Sequence, residues 1–447
     1  MNPRFLVLIT ILLATSCLWS QENPASMSTG TTDDQPMVVP PPVSAESYPS
    51  EVGAESRSNY LRTGLTFTAA YNDNILGGQS SSAVADESYS VWPFLAFDET
   101  TSRLHSVITL TPGFTAYQRT SGRNEVDGNL NADVSYRLSP HVTLHLVDTF
   151  RKSSNFLNQP TVGGDTAFGT SQVSPVTVIA PTADQLSNIG TAQLTYQFGP
   201  NAMVGASGTF TNLHYSNASQ VPGLYDSTSR GGSAFYNHRL SGRHYVGVTY
   251  QYQTLLAYPT GFESKTQTNG VMLYYTFFVK PTFSVSFFGG PQYSNTEETN
   301  YPSTHGWSPA AGASIAWRGR QTNVVLSYSR MIAPGGGLMG AVHQNGGTFS
   351  LRRQLTRKMT GGFQAAYSNV NSLTPVAVQA LLGGSNDGHT ISGGASLERQ
   401  LGEHFSVGLD YSRLHQSYSN LAIVSGSPDT NQGRISIGYT FSRPIGR

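Results

Sequence analysis

The sequence predicts an all-β fold, a transmembrane antiparallel up-and-down β-barrel of about 18 strands with short periplasmic turns and long extracellular loops. Three observations predict it. Segments of about 10 residues alternate apolar and polar side chains, the length a tilted strand needs to cross a bilayer. The connections between them alternate between very short and long. Charged residues are only 12%, aromatics reach 11% and glycines number 46, a composition of strands and tight turns rather than helices.

The chain opens with "MNPRFLVLITILLATSCLWSQ", a basic start at Arg4, an apolar run and small residues before a polar stretch. These are the parts of a secretory signal, expected over residues 1–20 with cleavage after Ser20. Lipid attachment at Cys17 is the alternative, disfavoured because Ala14 stands where a lipoprotein signal usually has Leu. Past Cys17, the single cysteine, no apolar run is long enough for a membrane-spanning helix. Residues 21–58 are rich in Pro, Ser, Thr and Glu without strand or helix period, and read as a flexible periplasmic arm. The barrel is expected over 59–447.

Within the barrel, "HFSVGLDYS" sets Phe405, Val407, Leu409 and Tyr411 on one face and Ser406, Gly408, Asp410 and Ser412 on the other. "NLNADVSYRL" and "HYVGVTYQYQ" divide the same way. The polar set includes Asp133, Arg137, Arg151, Arg352, Glu398, Asp410 and Arg434, costly in lipid and comfortable in a wet lumen, so these are the expected lumen-lining residues.

Short connections such as "LSGRH", "FVKPT" and "LGEHF" recur about every 40 residues, as hairpin repeats should. Longer ones lie at 73–86, 118–124, 153–184, 217–226, 256–264, 295–303, 332–343, 369–387 and 418–428. Nine hairpins follow, with both termini at the short-turn end. Aromatics flank both rims: Tyr136, Phe198, Phe278, Trp317 and Phe405 near short turns, Tyr71, Phe150, Tyr252, Tyr328 and Tyr367 near the loops. The longest connection carries Phe156, Leu157, Asp165, Phe168 and Asp184; it is a candidate constriction loop, with an exposed surface loop as the alternative.

Two stretches resemble known families. The ending, with Ile437, Tyr439 and Phe441 on one face, resembles the signal by which the bacterial barrel-assembly machinery receives its substrates. Here "SRPIGR" follows the closing aromatic. "LTFTAAYNDNIL" followed by "SVWPFLAF" resembles the first hairpin of a group of bacterial β-barrel porins that includes barrels found alongside exopolysaccharide systems, with Tyr71, Asp73, Asn74 and Ile75 matching its exit motif.

Chemistry-bearing motifs are few. The net charge is zero, so no nucleic-acid surface is expected. No zinc pattern, nucleophile elbow, phosphate loop or dinucleotide fingerprint occurs, and no metal or cofactor is expected. Asp and Asn in "GSNDGHT" and "SPDTNQGR" fall short of a calcium ligand set. Asn237, His238, His244, Glu403 and His404 are the nearest approach to catalytic groups, but all lie near short turns, and an enzyme is not expected. The expected function is a porin-like outer-membrane channel for passive diffusion of small hydrophilic solutes or oligosaccharides, with lipid, lipopolysaccharide and the assembly machinery as partners. An exopolysaccharide-export barrel and a non-conducting structural or adhesive barrel are the alternatives.

Overall fold

The computed structural model describes residues 59–77, 83–155, 184–216, 224–259, 263–299, 301–336, 339–373, 387–419 and 429–445. The expected signal with Cys17, the arm and residues 156–183 lie outside these. The first six strands are β1 (Tyr60–Asn72), β2 (Asp86–Thr100), β3 (Leu104–Tyr117), β4 (Glu125–Arg137), β5 (Val142–Ser153) and β6 (Gln185–Gly199). The next six are β7 (Ala202–Tyr215), β8 (Ser227–Ser241), β9 (His244–Ala257), β10 (Ser264–Lys280), β11 (Phe283–Glu298) and β12 (Tyr301–Arg318). The ring is completed by β13 (Thr322–Gly335), β14 (Met339–Thr356), β15 (Met359–Ser372), β16 (Gly388–Gln400), β17 (Phe405–Tyr418) and β18 (Asp429–Pro444).

Each strand pairs antiparallel with its chain neighbours, and β18 pairs with β1, closing an 18-stranded barrel. At the closing seam Phe67 faces Ile437, Leu65 faces Tyr439 and Thr63 faces Phe441. The residues after Phe441 extend this seam: Ser442, Arg443 and Pro444 pair with Arg62, Leu61 and Tyr60, and the Ile445 N–H donates to the Asn59 carbonyl at 2.8 Å. A closed ring removes the open edges a lone sheet would expose.

Alternation along the strands sorts side chains to two faces. Large apolar groups point outward and are exposed: Phe67, Leu65's partner Tyr439, Leu326, Leu409 and Ile435 belong to this set. Small and polar groups point inward and are mostly covered, as with Thr68, Ser88, Ser90, Thr115, Ser286 and Gln432. Some inward aromatics lie against glycine. The Trp92 ring rests on Gly113 and Phe94 on Gly64, where a Cβ would collide with the ring.

Three readings from sequence need correction. Phe278 is not at the outer aromatic rim: parity inherited from Leu273 and Tyr275 sends Phe277 outward, stacked on His244 at 4.7 Å, and Phe278 inward against Tyr245. The connection expected over 295–303 is mostly strand, since β11 runs to Glu298 and β12 begins at Tyr301. The connection over 332–343 is also largely strand, because β13 stays paired with β14 up to the Gly335–Met339 partners.

That last hairpin leaves the wall. β13 pairs with β12 only from Asn323 to Arg330, opposite Ala311–Arg318, while β12 continues beside β11. Beyond Arg330 the alternation stops: Met331, Ile332 and Ala333 are all buried, so both faces of the hairpin are covered. Ile332 and Ala341 pack on Leu255 of β9. The Ile332 N–H donates to Gln292 Oε1 of β11 at 3.3 Å, and the Tyr215 hydroxyl at the end of β7 donates to the Gly336 carbonyl at 2.6 Å. Gly336 has φ 69°, a left-handed conformation that glycine adopts without strain. The hairpin thus reaches from β13 across the interior to β7.

Candidate functional site: the barrel interior

Inward parity collects the polar side chains, and two walls result. The first carries charge. Asp410 of β17 and Arg434 of β18 are register partners joined at 3.3 Å. Asp133 of β4 accepts from or pairs with His145 of β5 at 2.8 Å. Arg137 lies at the short-turn end of β4, and Arg151 lies inward on β5 near the loop end. Arg352 of β14 stands opposite Asn323 and Gly362, and Glu398 of β16 opposite Thr360 and Gly408. All seven expected lumen residues therefore have inward parity, and both signs are present.

The second wall, β8 to β12, is different. Its inward positions between the rims are hydroxyls, amides, glycines and apolar groups, among them Ser229, Thr249, Thr266, Thr268, Ser286 and Gln292. Charge returns only near the ends, at Arg239 and Arg318 by the short turns and Glu298 by the loops. This is the sector spanned by the β13–β14 hairpin. Near the hairpin tip, burial first and the Glu298 carboxylate second push the Tyr225 hydroxyl above its ordinary value, so Tyr225 stays protonated beside Tyr215.

The loop rim is fixed by carboxylates that accept from backbone N–H groups left over at strand ends. Asp86 accepts from the N–H groups of Arg119 and Thr120 at 3.0 and 2.9 Å. Asp127 accepts from Ser154, Asp226 from Tyr215 and Asp387 from Ser372. Asp73 accepts from the Asn431 N–H and side-chain amide, both at 2.7 Å, and Asn74 donates to the Asp429 carbonyl at 3.0 Å. The "Y-x-D-N" exit motif thus ties β1 to β18. The acidic loop residues Asp387 and Asp429 are likewise engaged, Asp429 by His415 at 2.7 Å and Arg413 at 3.5 Å. Among the described residues no group of His, Cys, Asp and Glu is placed to hold a metal.

The remaining expected residues fall in several places. Phe156, Leu157, Asp165 and Phe168 lie outside the described residues; Asp184, just before β6, accepts the Ser216 N–H on its carbonyl at 3.0 Å. Ile437, Tyr439 and Phe441 point outward and are exposed. Asn237 and His238 take opposite faces, with His238 near the Tyr236 hydroxyl at 3.2 Å. His244 bonds the Tyr275 hydroxyl and His404 the Thr440 carbonyl, so these histidines hold neighbouring groups at the short-turn rim. The inward hairpin and the uncharged wall escape strand-by-strand reading. The run Met331-Ile332-Ala333 at the start of a supposed polar connection is a signal that points to the hairpin.

No family model matches the sequence, and no curated protein matches it. Solved structures similar to this chain include Pseudomonas aeruginosa OpdK with vanillate, at 11% identity and TM-score 0.41, covering 86% of this chain and 99% of that one. Pseudomonas aeruginosa OccK2 (OpdF) is similar at 10% identity and TM-score 0.43, covering 86% and 98%. Acinetobacter baumannii OccAB4 is similar at 10% identity and TM-score 0.40, covering 87% and 100%. Solute and mechanism are decided by the chain's own geometry, not by likeness at this level.

Proposed function

We propose that this chain is a bacterial outer-membrane β-barrel acting as a passive pore for small hydrophilic solutes or oligosaccharides. One observation supports the reading above others: burial is reversed. Leu409 and Ile435 are 55% and 56% exposed on the outside, while their sequence neighbours Asp410 and Arg434 face inward with side chains 14% and 10% exposed. A water-soluble barrel would place these the other way round, whereas a barrel in lipid needs an apolar exterior and tolerates a polar lumen.

Transport on this reading is diffusion, with no bond made or broken. Asp133, Arg137, Arg151, Arg352, Glu398, Asp410 and Arg434 supply polar contacts of both signs, so strong ion selectivity is not expected. The surrounding partners are lipid and lipopolysaccharide, with the barrel-assembly machinery acting on the Ile437, Tyr439 and Phe441 face during insertion. The test is swelling of proteoliposomes in isotonic neutral sugars. Swelling that slows as the sugar grows supports a diffusion pore; no swelling from folded protein contradicts it and leaves a non-conducting barrel.

A further inference from the structure

Five consecutive strands, β8 to β12, each carry at least one inward polar side chain with a hydrogen-bonding atom that meets no protein partner; Asn237, Thr249, Thr268, Gln292 and Ser314 are one from each. Each of these residues is at most 3% exposed. Buried polar atoms are nearly always partnered, so a file of them on adjacent strands marks a surface completed by something other than the protein. The same sector is spanned by the β13–β14 hairpin, which touches β7, β9 and β11. Gln292 belongs to both: its Oε1 receives the Ile332 N–H of the hairpin, and its Nε2 is left to donate elsewhere.

We propose that the β8–β12 wall is a binding track for uncharged polyhydroxylated solutes, covered at its loop end by the β13–β14 hairpin as a strap latched at Tyr215 and Gly336. The proposal rests on the pore reading for the route by which a solute arrives. The chemistry follows from what the wall offers. Hydroxyls and amides both donate and accept, which matches a sugar hydroxyl, itself donor and acceptor. No fixed charge lies along the track to compensate a carboxylate or ammonium, so an ionised solute would lose hydration there without a counter-charge. Between the rims the charged groups stand on other strands, so the wall and the rest of the interior divide solutes by charge. The strap must lift for the track to fill, and the Tyr215 hydroxyl bond to the Gly336 carbonyl is one that must then break.

The test uses the refolded full chain with maltotetraose as the neutral probe and benzoate as the anionic one, read by current blockade in a planar bilayer and by titration calorimetry in detergent. Thr249→Val and Thr268→Val keep side-chain shape and remove the unpartnered hydroxyls. Maltotetraose binding is expected to weaken by up to about tenfold for each, with salt conductance and benzoate response unchanged. A second variant closes the strap: a Cβ built on Gly340 lies 3.4 Å from Ser264 Oγ, so Ser264→Cys with Gly340→Cys is placed to form a disulfide. Oxidised, it should lose maltotetraose binding, and reductant should restore it. Equal binding of both probes, or maltotetraose binding untouched by the Val variants and by the disulfide, overturns the proposal. Absence of current with calorimetric binding still lost in the Val variants would sink the pore reading and leave the track standing.

Discussion

The Tyr215 hydroxyl and the Gly336 carbonyl, 121 residues apart in the chain, meet at 2.6 Å at the tip of a hairpin that has left the barrel wall. Tyr215 is 4% exposed, and the hairpin behind Gly336 is buried on both faces at Met331, Ile332 and Ala333, so this bond, the Ile332 N–H bond to Gln292 and the Leu255 contacts help hold it in place. Tyr215→Phe keeps the ring and removes the donor, leaving a carbonyl short of a partner. A loss of about 1 kcal/mol in strap stability is expected. Hydrogen exchange at residues 331–343 checks it: exchange there should rise while that of β17 and β18 stays unchanged.

Asp410 and Arg434 are a poorly exposed pair, and removing one partner costs more than the pair contributes. Asp410→Ala removes the carboxylate from a poorly exposed guanidinium and should destabilise the β17–β18 seam by roughly 1–3 kcal/mol, whereas Asp410→Ala with Arg434→Met should recover part of that loss. Urea unfolding in lipid vesicles, run as a double-mutant cycle, measures both.

The two faces of β17 and β18 should respond oppositely to charge. Leu409→Arg puts a guanidinium against lipid and is expected to cost roughly 2–4 kcal/mol near mid-depth. Ser436→Arg, on the inward face of the neighbouring strand, should cost much less. Equal penalties in the same vesicles would mean that the outward face does not meet lipid.

The tail after Phe441 closes the ring rather than hanging from it. Deleting residues 442–447 removes three register pairs and the Ile445 N–H bond to Asn59. Folding yield in vesicles should fall and the β1–β18 amides should exchange faster, with the distant β9–β10 amides unaffected.

Strand parity and turn length are enough to read the ring from sequence, because nearly every wall strand has one face of exposed apolar groups, even where the other face also carries an aromatic such as Trp92 or Phe94. The inward parity of Asp410, Arg434 and the other charged positions is legible for the same reason. Parity is blind where an element is covered on both sides, and that is what happens at Met331, Ile332 and Ala333. There Pro334 and the glycines after it read as a loop, although the strand pairing continues through Gly335. Adjacent aromatics are the other blind spot: Phe277 and Phe278 are equally suited to a rim, and only the register carried down from Tyr275 decides which one points outward. The uncharged wall was hidden because it is defined by what five strands lack together, not by a motif on any one of them.

The measurement that tests the central claim most directly is single-channel current across a planar bilayer containing refolded protein. A steady current with weak ion selectivity is the predicted result. No current from protein shown to be folded would contradict the pore and leave a barrel whose interior is closed.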